Sequence, residues 1–391
     1  MRIFEFYSPM KVIAGTQAAS ALPREMDRLG CVSPFLVTDP GIVSAGLEKQ
    51  LRKDLKLEQV ILAGIFSDVP PDSSVQTVNR IIGEYQQEGA DCIIALGGGS
   101  VIDTAKAAAA AIGNNTDDLL SLSGVDNLSK PSIPVLVVPT TSGTGSEATC
   151  ACVIASQEYG EKMLITADWV VPAAAFLDPR YTQSLPSKIT AMTGMDAFTH
   201  AVEAFTCGQK NPVSDPLARE AVRLISENIV PAIENPNDLT CRLNMQIASL
   251  LAGMAFSNAM VGGVHSLGHA AGAVCHLPHG LAMNIFLPVL MAYNMDAVGN
   301  LYGELLLDFG GPKEYLDTEP EKRGTVFREK VLGLQQVLQE KTGLVNSLQE
   351  AGVQKDQFQA IAEKAINDGS VIMNPVPIEM GNALSLLKNA W

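Results

Sequence analysis

The chain has 391 residues, 47% of them hydrophobic and 18% charged, with 27 Lys+Arg against 42 Asp+Glu and a formal charge of −15. That length exceeds what one hydrophobic core usually organises, so two domains are expected, and the composition is globular rather than disordered. So acidic a surface repels phosphate backbones and anionic lipid headgroups, which argues against nucleic-acid and membrane partners.

The N-terminal MRIFEFYSPMKVIAG carries no charged-then-apolar-then-small leader pattern, which points to the cytoplasm. Beyond it, short β-rich runs alternate with helical ones. SPFLVTD (33–39), QVILAGIF (59–66), CIIALGGG (92–99) and PVLVVPTT (134–141) predict strands. DSSVQTVNRIIGEYQQEG and SVIDTAKAAAAAIG predict helices between them. This rhythm is that of a parallel, Rossmann-like sheet covered by helices, in which ligands bind beyond the carboxyl ends of the strands. The most apolar stretch, CIIALGGGSVIDTAKAAAAAIG, includes Asp103 and Lys106 and reads as strand–turn–helix rather than a membrane span. After about residue 185 the pattern becomes helical to the end. The expected architecture is therefore an α/β dinucleotide-binding domain over 1–185 and an all-α domain over 186–391. The charged segment 311–326 reads as a solvated loop and helix start. Seven cysteines, an odd number without a C-x-x-C pair, read as reduced thiols.

Two glycine loops carry the first chemistry. ALGGGSVIDTAK follows a strand and opens a helix, so its backbone can approach a phosphate at a helix N-terminus. Gly97, Gly98, Gly99, Ser100 and Asp103 are its candidate cofactor-binding residues, although Ile102 stands where G-x-G-x-x-G would place its last glycine. PTTSGTGSEAT (139–149) supplies hydroxyls and two further glycines after another strand. Two such loops suit a dinucleotide better than either does alone. Asp39, ending the first of these strands, can accept from ribose hydroxyls and would repel a 2′-phosphate, favouring NAD over NADP; the bland alternative is a turn aspartate before Pro40.

The chain has five histidines, and four of them fall in GGVHSLGHAAGAVCHLPHG (262–280): His265, His269, His276 and His279. The fifth, His200, follows Asp196 by four residues in TGMDAFTHAVEAF, which places the two on one helix face. One carboxylate and several imidazoles, without thiolate, suit Zn²⁺, Fe²⁺ or Mn²⁺. Spacing leaves open which of the four clustered histidines are ligands. The competing reading is hydrogen-bonded core histidines.

GGGSVIDTAK, PTTSGTGSEAT, TGMDAFTHAVEAF, FSNAMVGGVHSLGH and PHG occur in an order and spacing that resembles the iron-dependent (group III) alcohol dehydrogenases over nearly the whole chain. The resemblance implies an NAD(H)-linked, metal-dependent enzyme, of Fe²⁺ with Zn²⁺ or Mn²⁺ as alternatives. It would interconvert a small primary alcohol, diol, lactaldehyde-like or sulfonated substrate with its carbonyl form, in a cleft between two domains. It implies Asp196, His200, His265 and His279 as metal ligands and His269 as the residue facing nicotinamide and substrate. It also implies Gly98, Gly99 and Ser100 at the pyrophosphate, Thr140, Thr141, Thr144 and Ser146 in the second cofactor loop, Lys162 near the cofactor, and Asp39 as the NAD-selecting acid. A homodimer or larger homo-oligomer is implied as well. His276 matches no role. The chain departs from the family at Asp72 and Val376, and in TCACV (149–153), whose small residues stand where a pocket wall is expected. An NAD- and metal-dependent lyase of the dehydroquinate-synthase type and a non-catalytic metal-binding protein are the alternatives.

Overall fold

The structure, a computed structural model, describes residues 3–57, 60–71, 73–156 and 161–391, with the backbone alone at Lys56, Leu57, Ser156, Glu161 and Lys162. Contacts divide it into two compact units: Tyr7–Leu185, and Pro186–Trp391 together with the residues up to Phe6.

The first unit holds a six-stranded parallel sheet built from β1 (Lys11–Ala14), β2 (Pro34–Val37), β3 (Gly64–Phe66), β4 (Cys92–Gly97), β6 (Val135–Pro139) and β9 (Ala174–Leu177), in the order β1-β9-β6-β4-β2-β3. Alternation of side chains explains why the inner strands β2, β4, β6 and β9 are apolar throughout. Phe35, Val37, Ile93, Ala95, Val135 and Val137 enter one core, while Leu36, Ile94, Leu96, Leu136 and Val138 enter the other. Both faces are covered, as a parallel sheet requires. The first core is closed by α4 (Val75–Gln87) and α5 (Gly99–Asn114), the second by α1 (Leu22–Leu29) and α3 (Leu47–Leu57), with the short α2 (Pro40–Ser44) following β2. The chain order reverses between β2 and β4, so the loops ending those two strands stand at the switch point where such sheets bind ligands. A second sheet, β5 (Gly124–Val125), β8 (Glu161–Thr166) and β7 (Ala151–Ser156), pairs β7 antiparallel to β8.

All four predicted strands occur, shortened to their hydrogen-bonded cores; the second of them, 59–66, pairs only over Gly64–Phe66. The sheet gains β1 and β9, which the residue pattern did not announce. KVIA is a four-residue edge, and AAFL is alanine-rich, weak in intrinsic strand preference and held by neighbours on both sides.

The second unit is helical: α6 (Ser187–Thr206), α7 (Ser214–Glu234), α8 (Leu239–Ala259), α9 (Gly263–Cys275), α10 (His279–Asp317), α11 (Arg323–Thr342), α12 (Phe358–Ala365) and α13 (Met380–Ala390) share one apolar core. Between α8 and α9 the axis bends by 102°, with Met260 at φ +73°. Helix α10 is interrupted by non-helical dihedrals at Val298 and Gly311, and its last piece, 312–317, is helical where a loop was expected. By length and apolarity α10 could cross a membrane, but 67% of its apolar window is buried inside this unit, as in a core helix.

Candidate active site

Three loops leave neighbouring strands at the switch point. After β2, Asp39 caps α2 by accepting the Ile42 N–H at 2.9 Å, so one carboxylate oxygen serves the turn reading as well. After β4, Gly98 is the N-cap of the sixteen-residue α5 and supplies no side-chain cap, leaving that helix start open to an anion. After β6, the Thr140 N–H donates to the Gly97 carbonyl at 3.0 Å. The last two loops are packed against each other. A Cβ built on Gly99 would stand 2.7 Å from Thr144 Cγ2, and one on Gly98 would stand 3.1 Å from Thr141 Cγ2. Glycine at these positions lets the Thr141 and Thr144 side chains close onto the start of α5.

Not every predicted cofactor residue stands at this surface. Gly98, Gly99, Ser100, Thr141 and Thr144 are half-buried, whereas Gly97, Thr140 and Ser146 are buried beneath them. Ser100 Oγ donates to the Pro71 carbonyl. Asp103 accepts the Val153 N–H at 3.0 Å, tying α5 to β7. The side chain of Lys162 and all of Asp72 lie outside the described residues. Within TCACV, Thr149 is turned to Lys106 and Cys152 is sealed in the sheet core, so neither widens a pocket wall.

Lys106, which ends the GGGSVIDTAK motif, counted in the sequence only as a charge against a membrane span. Fully buried, its ammonium donates to Ser146 O, Thr149 O, Thr149 Oγ1 and Ala151 O at 2.6–2.9 Å. It thereby fastens the far end of the second loop to α5. Burial lowers its pKa, and burial likewise pushes the neighbouring Glu147 carboxyl up to about 7.

The helical unit gathers the imidazoles. Asp196 and His200 share one face of α6, His265 lies in the first turn of α9, and His279 opens α10. Gly280 is required beside His279, because a Cβ there would stand 2.5 Å from the Met192 carbonyl oxygen of α6. That contact seats the start of α10 against α6. One ligand atom from each of Asp196, His200, His265 and His279 lies within 4.8 Å of the others. Asp196 Oδ1 is 3.3 Å from His279 Nε2 and 3.9 Å from His200 Nδ1. The His200 ring stacks on Phe256 at 4.2 Å and on His265 at 4.5 Å.

Three of the converging atoms, Asp196 Oδ1, His200 Nδ1 and His265 Nε2, are buried without a hydrogen-bond partner. An orphaned buried polar atom costs about 1–3 kcal/mol, so three facing one point are costly unless something binds there. Their charge states suit a cation. Burial drives the His200 imidazole down to about 3 and His265 well below its usual value, so both present neutral lone pairs. Burial would raise the Asp196 carboxyl, but the surrounding imidazoles, with His279 Nε2 at 3.3 Å, outweigh it and hold the group below the usual carboxylate range. The donor set of one oxygen and three nitrogens fits a borderline divalent ion.

His269 stands beside this group rather than in it. Its Nδ1 is 2.9 Å from Asp368 Oδ2, and its ring stacks on His279 at 5.4 Å. His276 caps the C-terminus of α9 with φ +55° and is exposed. Three supporting residues were not singled out from the sequence. Glu203 bonds His265, Asp368 bonds His269, and Asn374 accepts the Gly263 N–H at 3.1 Å. Glu203 did leave a signal, falling on the Asp196 face seven residues on; Asp368 and Asn374 are about a hundred residues from their partners and left none. A second group, Cys31, Asp91 and Cys92, also offers ligand atoms within 4.8 Å. There, however, both Asp91 oxygens accept backbone N–H groups of Val32 and Ser33, and burial raises both thiols.

Comparison with known proteins agrees with these features. Residues 9–179 match the family described as iron-containing alcohol dehydrogenase, and residues 190–391 match the Fe-containing alcohol dehydrogenase family, C-terminal. The chain is 34% identical over 377 residues to 1,3-propanediol dehydrogenase of Klebsiella pneumoniae, covering 96% of this chain and 95% of that one. It is 30% identical over 387 residues to NAD-dependent methanol dehydrogenase of Bacillus methanolicus, covering 98% and 99%. Among solved structures, a 1,3-propanediol oxidoreductase superposes with a TM-score of 0.93 at 32% identity over the whole of both chains.

Proposed function

The chain belongs to the iron-containing alcohol dehydrogenase family, and from that premise we propose that it interconverts a small primary alcohol and its aldehyde with NAD(H). The lyase and non-catalytic alternatives fall away with membership of a dehydrogenase family. The observation that carries the reading is the convergence of Asp196, His200, His265 and His279, three of them with orphaned buried donor atoms.

In this reading those four residues hold one divalent ion, Fe²⁺ by family, and Asp39, the Gly98–Gly99 loop and the Thr141–Thr144 loop hold NAD(H). When bound, the ion supplies Lewis acidity toward the substrate oxygen and the nicotinamide gives or takes the hydride. Asp196 contributes the negative charge, and the neutral imidazoles contribute lone pairs. The open start of α5 receives the pyrophosphate, and Asp39 accepts from ribose hydroxyls while disfavouring a 2′-phosphate. His269, oriented by Asp368, takes up and passes on the alcohol proton. Relatives named for 1,3-propanediol and lactaldehyde support a short-chain diol or hydroxyaldehyde as the substrate class. The open edge of β1 and the exposed Ile3 and Val12 support a homo-oligomer, and the cytoplasm is the proposed compartment.

The test is metal analysis of protein purified without oxygen, followed by NADH absorbance against a panel of short aldehydes with and without Fe²⁺ or Zn²⁺. Metal-dependent NADH consumption is the expected result. A preparation that binds no divalent ion, or reduces every aldehyde equally without one, refutes the proposal.

A further inference from the structure

Beside the four converging residues lies a carboxylate that is not one of the converging group. Glu203 is buried, with its side chain 7% exposed, on the same face of α6 as Asp196 and His200. Both of its oxygens are committed to the start of α9. Oε1 accepts the Val264 N–H at 2.7 Å, and Oε2 lies 2.5 Å from His265 Nδ1. The Gly263 N–H is taken by Asn374, so the first two orphan donors of α9 are capped by side chains from elsewhere in the chain. Gly262 makes room for this, because a Cβ there would stand 3.1 Å from Glu203 Oε1 and 3.2 Å from Asn374 Oδ1.

The consequence concerns a tautomer. A neutral imidazole carries its proton on one nitrogen and its lone pair on the other, and the partner of the first decides which. Here Nδ1 faces an acceptor, while Nε2 is the atom left buried and unpartnered toward Asp196, His200 and His279. We propose that Glu203 is a positioning residue for the metal centre: by accepting the His265 Nδ1–H and the Val264 N–H it holds the His265 Nε2 lone pair on the metal. The inference rests on the four-residue reading above and adds a residue that contacts neither metal nor substrate.

The amide of Glu203→Gln is the same size but reverses the demand. If its oxygen keeps the Val264 N–H, its NH₂ faces Nδ1 and calls for a lone pair there, moving the proton to Nε2. Loss of such an outer partner typically lowers metal affinity about 10–100-fold. The measurement is Co²⁺ titration of the full-length, metal-stripped protein against a chromogenic chelator, for wild type, Glu203→Gln and Glu203→Asp. Expected are a fall of about 10–100-fold for Glu203→Gln, partial recovery in Glu203→Asp, and an unchanged melting temperature of the metal-free forms. Affinity of Glu203→Gln within threefold of wild type overturns the inference while leaving the four-ligand reading intact. Wild type that binds no Co²⁺, Zn²⁺ or Fe²⁺ overturns both. Should Glu203→Gln not fold, ¹⁵N spectra of wild-type His265 decide: a proton on Nδ1 supports the assignment, and a proton on Nε2 refutes it.

Discussion

Metal should stabilise the helical unit by an amount that the structure lets us bound. All four proposed ligands lie within Pro186–Trp391, on α6, α9 and α10, so metal binding would couple to the folding of that unit. In the metal-free protein three buried atoms lack partners, a cost of about 1–3 kcal/mol each that coordination would remove. At free metal about 100-fold above Kd, linkage adds ~2.7 kcal/mol of stability. For a unit of roughly 200 residues each kcal/mol moves Tm by about 2–4 °C, so the expected rise is about 5–11 °C. Scanning calorimetry of the whole chain, stripped by chelator and then titrated with Fe²⁺ under nitrogen or with Zn²⁺, reads this directly. Asp196→Ala removes the only carboxylate of the set and should abolish the rise. No upward shift with either ion, or an equal shift in Asp196→Ala, would refute the reasoning, since the stabilisation would then be absent or arise elsewhere.

Three further outcomes follow from named contacts. Asp39→Gly should raise the NADPH/NADH ratio of kcat/KM by at least tenfold with only a few tenths of a kcal/mol of stability lost, because glycine is a tolerable N-cap; an unchanged ratio means Asp39 serves the α2 turn alone. His269→Ala should keep its metal by elemental analysis and slow turnover about 10²–10⁴-fold, whereas loss of metal would make His269 a ligand. Glu147 tests the buried loop support. Its folded-state pKa, pushed to about 7 from 4.5 by burial, means its stabilising contribution is full below about pH 4.5 and lost as pH rises through 7. Glu147→Gln should therefore gain on wild type between pH 5 and pH 8, by up to about 3 kcal/mol at ~1.36 kcal/mol per pH unit, in urea unfolding; a gap independent of pH counts against a buried ionisable Glu147.

How much of this was legible in the chain depends on the range over which each interaction acts. Asp196 and His200 are one helical turn apart, so periodicity alone placed them together, and the glycine loops announced themselves by following β-rich runs. The three buried strands β2, β4 and β6 were legible because a sheet covered on both faces needs uninterrupted apolar residues, as in Leu36 and Val37 facing opposite cores. Separating His265 and His279 from His269 and His276 was a different matter. All four lie within fifteen residues, and the sorting is done by a tertiary event, the seating of Gly280 on the Met192 carbonyl, which brings α10 to α6 and His279 to Asp196. Family resemblance supplied that assignment; periodicity had no means to.

The supporting carboxylates were hidden for a related reason. Asp368 meets His269 across ninety-nine positions, and nothing in INDGSV distinguishes an acid that orients an imidazole from one that merely caps a turn; Asp368 does both, accepting the Ser370 N–H at 2.8 Å as well. Glu203 resembles any helix glutamate until its burial is known. Its environment then makes the argument, because an acid inside an apolar helical core is costly unless each oxygen is occupied. Here both are, and by the two groups that determine where α9 begins and which nitrogen of His265 is bare. Residue type and spacing gather the candidate ligands of such a centre without sorting them. The hydrogen-bond partners that orient those side chains are positioned by the fold, so they become visible only when burial and hydrogen bonding are considered together.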